Sequence, residues 1–195
     1  MGSELSPKAA EIAACARTLI STRGYAGFSY ADIAEAVGIA KASIHHHFPS
    51  KAALVHHVVA DYRSQAQAGM TELTAKVADP EARLRAWMQF WQACLRERTL
   101  PFCICAMLAT EMAALPDDVG AEVRGHFDDL SQWLAATLAD GARAGRFTLH
   151  AAPAAEALAF MAAIHGAMIS ARAYGDAAVF TSISQGLLAR LATRH

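Results

Sequence analysis

The sequence predicts an all-α chain, a short three-helix unit at the N-terminus followed by a larger helical body. Three observations predict it. Apolar residues recur at helical spacing almost throughout, serine, proline and glycine punctuate the pattern where helices start and stop, and no strand-like alternation of useful length occurs. Hydrophobic residues make up 54% of the 195 while charged ones make up 18%, so much apolar surface must be buried, some of it between chains. No apolar run approaches the roughly 20 uncharged residues of a membrane span. The opening Met1-Gly2-Ser3-Glu4 lacks the basic-then-apolar order of a secretory leader. A cytoplasmic protein is expected. The four cysteines, Cys15, Cys94, Cys103 and Cys105, are too few and too uneven for a secreted disulfide scaffold, so reduced thiols are expected.

Ser6 caps and Pro7 opens the first helix, whose apolar positions Ile12, Ala13, Ala16, Leu19 and Ile20 run until Gly24. Ser29 with Asp32 three positions later resembles a capping box, and Ile33, Ala34 and Val37 give a short amphipathic helix ended by Gly38. A second short helix covers about residues 41–47 before Phe48-Pro49-Ser50 breaks it. Ser50 then caps a longer helix, about residues 51–74, with Leu54, Val55, Val58, Val59 and Tyr62 on its apolar side.

Asp79-Pro80 opens a helix bearing Leu84, Trp87, Met88, Phe90, Trp91 and Leu95, which Pro101 ends or bends. Further helices are expected at about 102–114, 119–144, 153–174 and 177–192, broken at Leu115-Pro116, Gly145 and Gly175. The expected domains are 1–50 and 51–195, with the helix from residue 51 linking them.

Residues 29–51 hold two short helices joined by a glycine-containing turn, the arrangement that inserts a helix into the DNA major groove. Ile33, Ala34, Val37, Ile39 and Ile44 would fix the angle between them, and Gly38 supplies the turn. Net charge is only -1 and argues nothing for nucleic acid, but no carboxylate lies between Glu35 and Asp61 while Lys41, Lys51 and five histidines do. That geometry alone also occurs in helical proteins that never touch DNA; the residue order decides.

From Ile33 the order Ile-Ala-Glu-Ala-Val-Gly-Ile-Ala-Lys-Ala-Ser-Ile-His-His-His-Phe-Pro-Ser-Lys-Ala-Ala-Leu resembles the N-terminal signature of the TetR/AcrR family of bacterial transcriptional regulators, over about residues 9–62. The resemblance implies that the second short helix enters the major groove, that the fourth begins with a phosphate-binding lysine, and that a variable helical domain binds an effector and dimerises. It carries the DNA-binding role to Tyr30, Lys41, Ala42, Ser43, His45, His46 and Lys51, leaving His47 and Phe48 to packing. The family usually has glycine where Ala42 stands and tyrosine where His45 stands. A histidine donates to phosphate better when protonated, so binding is expected to strengthen at acid pH. A metal site in His45-His46-His47 and His56-His57 is not expected, because adjacent helical residues diverge and a helical metal pair wants a spacing of three or four.

In the body, Trp87, Phe90, Trp91, Met107, Phe127 and Met161 supply aromatic and polarizable bulk for an apolar effector pocket or an ordinary core, and His165 a polar contact or a satisfied core histidine. Cys103 and Cys105 follow Pro101 at a helix start, where the dipole would lower a thiol pKa. The run from Cys103 to Met112 resembles a TetR branch that answers electrophiles or oxidants through a cysteine, with Cys103 the better candidate and Cys105 a second thiol. Two cysteines this close on a helix diverge, so no bond between them is expected. Buried apolar thiols are the alternative. The last two helices carry stripes of Leu158, Met161, Ile164, Met168 and Ile169 and of Ile183, Leu187, Leu188 and Leu191, with Gly166, Ser170 and Gly186 allowing close approach. The resemblance implies a four-helix homodimer interface there.

The reading is a homodimeric repressor, without cofactor or metal, released from a palindromic operator by a small-molecule or electrophilic effector. One rival is a helical enzyme using Cys103 with His126 or His165, but the sequence orders no nucleophile, base and orienting group and has no phosphate loop. A helical interaction module without DNA is the other. Salt-dependent binding to promoter DNA, lost on Lys51→Ala, separates the first from both.

Overall fold

A computed structural model describes residues 5–97 and 102–192. The leader expectation at Met1-Gly2-Ser3-Glu4 and the break at Pro101 lie outside the described residues. Nine α-helices are described: α1 (Pro7–Arg23), α2 (Tyr30–Val37), α3 (Lys41–His47), α4 (Lys51–Lys76), α5 (Pro80–Glu97), α6 (Ile104–Ala109), α7 (Asp117–Arg143), α8 (Pro153–Tyr174) and α9 (Ala177–Leu191). Among the described residues there is no β-strand, only an isolated antiparallel bridge between Phe147 and Ala192. The helix expected over residues 102–114 is shorter. Thr110 N–H turns to the carbonyl of Met107, and after that tighter turn a 3-10 segment, Met112–Ala114, completes the stretch.

The chain forms two compact units. The first comprises residues 1–65 with 102–126, the second 66–101 with 127–195. α6 lies on α1, so a segment distant in sequence joins the N-terminal helices.

In the first unit local signals hold the starts of α1 and α2 and the turn into α3. Ser6 Oγ accepts from Ala9 N–H and Pro7 opens α1. Ser29 caps α2, and the Asp32 carboxylate accepts from Ser29 N–H at 2.8 Å; those bonds to Ser29 hold the Asp32 carboxyl below its ordinary pKa. Gly38 sits in the left-handed region at φ 68° and turns the chain into α3. Ile12, Ala16 and Ile20 of α1, Ile33 of α2, Ile44 of α3 and Leu54 and Val55 of α4 are fully buried together. Full burial of one such aliphatic side chain contributes about 1.5–3 kcal/mol, so these few residues fix the three short helices.

In the second unit α8 lies along α9, and α5 also packs on α9. α8 buries Ala157, Phe160, Met161, Ile164, Ala167, Met168 and Ala171, a stripe at three- and four-residue spacing. By length and composition alone α8 could cross a membrane, but this stripe makes it a core helix. The turn from α4 to α5 is tied by Arg83, which is buried. Its Nε donates to Val77 O at 3.1 Å and its guanidinium pairs with Asp140 of α7 at 3.3 Å. A buried guanidinium needs such a set of acceptors to offset its lost hydration.

Candidate functional site

The front of α3 is open to solvent. Lys41, Ala42, Ser43, His45 and His46 are exposed, while Ile44 between them is fully buried and anchors the helix. The side chains nearest the start of the helix therefore stand free to meet a groove, with no carboxylate among them. His45 Nδ1 lies 3.2 Å from Pro49 O, which leaves Nε2 as the outward nitrogen. Its ring edge packs on Tyr30, with centroids 4.9 Å apart.

Two residues expected at the DNA face are turned inward. Tyr30 is buried and its hydroxyl donates to Phe48 O at 2.9 Å, so it braces α2 against the end of α3; burial pushes its pKa up to about 12. The hydroxyl is thus committed to α3 and shielded. The signal was present, since Tyr30 and Ile33 share one face of α2 and both are buried. Lys51, expected on a phosphate, instead donates to the carbonyl oxygens of Tyr25 and Phe28, with its ammonium over both rings at 4.6 and 4.3 Å. Burial lowers its pKa, against the opposing pull of Glu111 and Asp32. His47 is half-buried and Phe48 buried, as packing residues are.

Behind this surface, still in the first unit, lies a thiol cluster. Cys103 is 1% exposed at the N-cap of α6; Tyr62 donates its hydroxyl to Cys103 Sγ at 3.3 Å, and His126 Nε2 is 3.8 Å from the same sulfur. The Tyr62 and His126 rings lie 5.3 Å apart. The expectation of a lowered thiol pKa is overturned. Burial pushes Cys103 up, outweighing the bonds from Tyr62 and from the N–H groups of Ala106 and Cys105, while Cys105, also buried, is pushed up further. A short helix cannot supply the field that a dry site takes away. All four cysteines are free. In the sequence Tyr62 is one more apolar position of α4, and no local pattern links residues 62, 103 and 126.

The residues expected to line an effector pocket are dispersed. In the second unit Trp91 and Met161 are buried, and Phe127 packs on His165 with centroids 5.2 Å apart. Trp87 pairs with Trp133 at 6.0 Å, and Trp133 donates to Thr74 Oγ1. Phe90 is 55% exposed, although it shares a side of α5 with buried Cys94 one turn on, and its ring lies 5.5 Å from that of Trp91. Met107, half-buried, belongs to the first unit. Burial holds His165 neutral, with its pKa down at about 4. A groove of about 700 Å³ lies elsewhere in the second unit, where Thr148, His150, Glu156, Phe160 and Arg190 meet between the start of α8 and the end of α9. Among the described residues no three His, Cys, Asp or Glu side chains gather as a metal site requires.

With that geometry in place, the sequence matches the family "Bacterial regulatory proteins, tetR family" over residues 12–58 and "Tetracyclin repressor-like, C-terminal domain" over residues 80–187. A solved TetR-family transcriptional regulator from Agrobacterium tumefaciens is 51% identical, covers 95% of this chain and 98% of its own, and superposes with a TM-score of 0.93. The chain belongs to the TetR family. As a TetR-family protein it is a DNA-binding transcription regulator and not an enzyme. A TetR regulator from Legionella pneumophila (22% identity, 97% and 100% coverage, TM-score 0.84) shares the fold. So does the reduced form of NemR from E. coli (20% identity, 95% and 98% coverage, TM-score 0.79). No curated protein matches the chain.

Proposed function

We propose that this TetR-family regulator is a homodimeric cytoplasmic repressor that leaves a palindromic operator when an effector engages its helical body. The observation that carries the DNA part is the exposed front of α3, held by buried Ile44, with Lys41, Ala42, Ser43, His45 and His46 facing outward. Lys51 sits at the start of α4, where a phosphate would compete with the carbonyls of Tyr25 and Phe28 for its protons. The dimer reading is supported by apolar side chains left exposed on the last two helices. Leu158 and Ile169, 55% and 54% exposed and three turns apart on α8, face outward, as does Ile183 on α9. Gly166 and Gly186 have open space beside them. Two copies meeting there would bury this surface and present two α3 helices to successive groove faces.

For the effector, a reactive electrophile is supported by the sulfur of Cys103 lying within reach of Tyr62 and His126. Addition of the thiol across an activated alkene forms a C–S bond, and the thiol proton ends on the neighbouring carbon. The adduct cannot fit a site 1% exposed without moving α6, so the modified form disfavours the DNA-bound arrangement.

The test is binding to a labelled fragment from upstream of the chain's own gene, with and without N-ethylmaleimide. Salt-dependent binding by the wild type, released by the reagent and retained by Cys103→Ser, is expected. Release that survives in Cys103→Ser discards the cysteine as sensor, and an absence of DNA binding at any salt discards the repressor reading.

A further inference from the structure

The turn between α1 and α2 is gripped from two sides. On one side Glu111, just past the end of α6, accepts from Tyr25 N–H at 2.5 Å and from Ala26 N–H at 3.0 Å. These amides lie past the last turn of α1 and have no helical acceptor of their own, so a carboxylate gives both a charge-assisted bond. On the other side the Lys51 ammonium takes the carbonyls of Tyr25 and Phe28. Gly24 makes the approach possible: at φ 75° it suits glycine, and a Cβ there would fall 2.2 Å from Glu111 Oε2. Arg23 pairs with Asp32, which completes the capping box of α2 with Ser29, at 3.0 Å and closes the same turn from outside.

We infer that Glu111 is a positioning residue for DNA reading, its carboxylate holding residues 24–28 so that this turn fixes Lys51 and the register of α2 and α3. The connection runs wholly inside the first unit. Cys103 caps α6, the Cys103 carbonyl accepts from Met107 N–H, α6 ends two residues before Glu111, and Glu111 holds the turn that Lys51 also holds. Whatever shifts α6 along its axis shifts the carboxylate and loosens both amides, and the α2–α3 pair loses its fixed angle. The inference rests on the DNA-reading role proposed for α2 and α3, but not on Cys103 being reactive.

Two measurements on the full chain test it, with Glu111→Ala and the near-isosteric Glu111→Gln. The first is amide hydrogen exchange, where Tyr25 and Ala26 are expected to exchange at least about tenfold faster in Glu111→Ala. Unchanged exchange at both amides overturns the clamp. The second is affinity for DNA fragments that the wild type enriches from genomic DNA, measured well below the thermal transition of each variant. A loss of about tenfold or more is expected for Glu111→Ala and a smaller one for Glu111→Gln, whose amide offers one acceptor instead of two. The double variant Glu111→Ala/Lys51→Ala should bind no more weakly than Lys51→Ala, because both act through one turn. Affinity within twofold of wild type, or losses that multiply in the double variant, overturns the inference. A wild type that enriches no fragment defeats the proposed DNA-reading role itself, and the exchange measurement still decides the clamp.

Discussion

α3 and α8 use their residues in opposite ways. Of the seven residues of α3 only Ile44 is buried, so a helix too short to persist alone is held by one side chain and its neighbours' caps. α8 buries seven residues on α9 and other helices and holds its unit's core. Function sits where stability does not: the outward side chains of α3 contribute little to folding and are free to be chosen for DNA, whereas the stripe on α8 is chosen for packing.

This division can be broken from the α8 side first. Ile164→Ala empties a fully buried site, and a loss of about 3 kcal/mol, lowering Tm by about 6–12 °C, is expected in calorimetry. DNA affinity below the transition should stay within about twofold. A variant that keeps its Tm would mean that the stripe is not the core.

From the α3 side, Lys41→Glu places a carboxylate where none stands. Affinity for operator DNA is expected to fall about 10–100-fold, with a shallower salt dependence, while Tm moves by no more than about 1 °C. Fluorescence anisotropy at several salt concentrations checks the first part and thermal unfolding the second.

The smallest effect belongs to pH and sharpens the contrast. Burial holds His165 of α8 at a pKa of about 4, below the 6.5 of an unfolded histidine, so the unfolded chain binds the extra proton first. The stability from keeping this ring neutral is fully present above about pH 6.5 and is lost as pH falls toward 4. A decline of about 1–2 kcal/mol between pH 7 and 5 is expected by urea unfolding, and His165→Phe should flatten it.

The sequence made helix ends legible wherever the cap is local. Ser6-Pro7, Ser29 with Asp32, Gly38 and Gly175 each stop or start a helix through bonds spanning a few residues. The exposed front of α3 was legible for the same reason, since Ile44 alone among its neighbours is apolar and bulky. The exposure of Phe90 was not legible, since Cys94, one turn on along the same side of α5, is buried. The inward turn of Lys51, the Tyr62–Cys103 bond and the Glu111 clamp join residues 23 to 86 positions apart. Such contacts depend on how helices pack, which spacing within one helix does not encode. The helix start at Cys103 is legible in the sequence, but the desolvation that opposes its effect on the thiol exists only after folding.

Gly24 and Gly38 both have positive φ, but Gly38 is left-handed helical (ψ 39°) while Gly24 is extended (ψ -172°), a combination essentially only glycine adopts, so their histories among relatives should differ. Gly38 faces open space, so asparagine, which tolerates that backbone, can replace it without any partner adjusting. Gly24 faces a carboxylate as well. Position 24 should therefore stay glycine even in a lineage that lost the acid at position 111, while position 38 is free to drift.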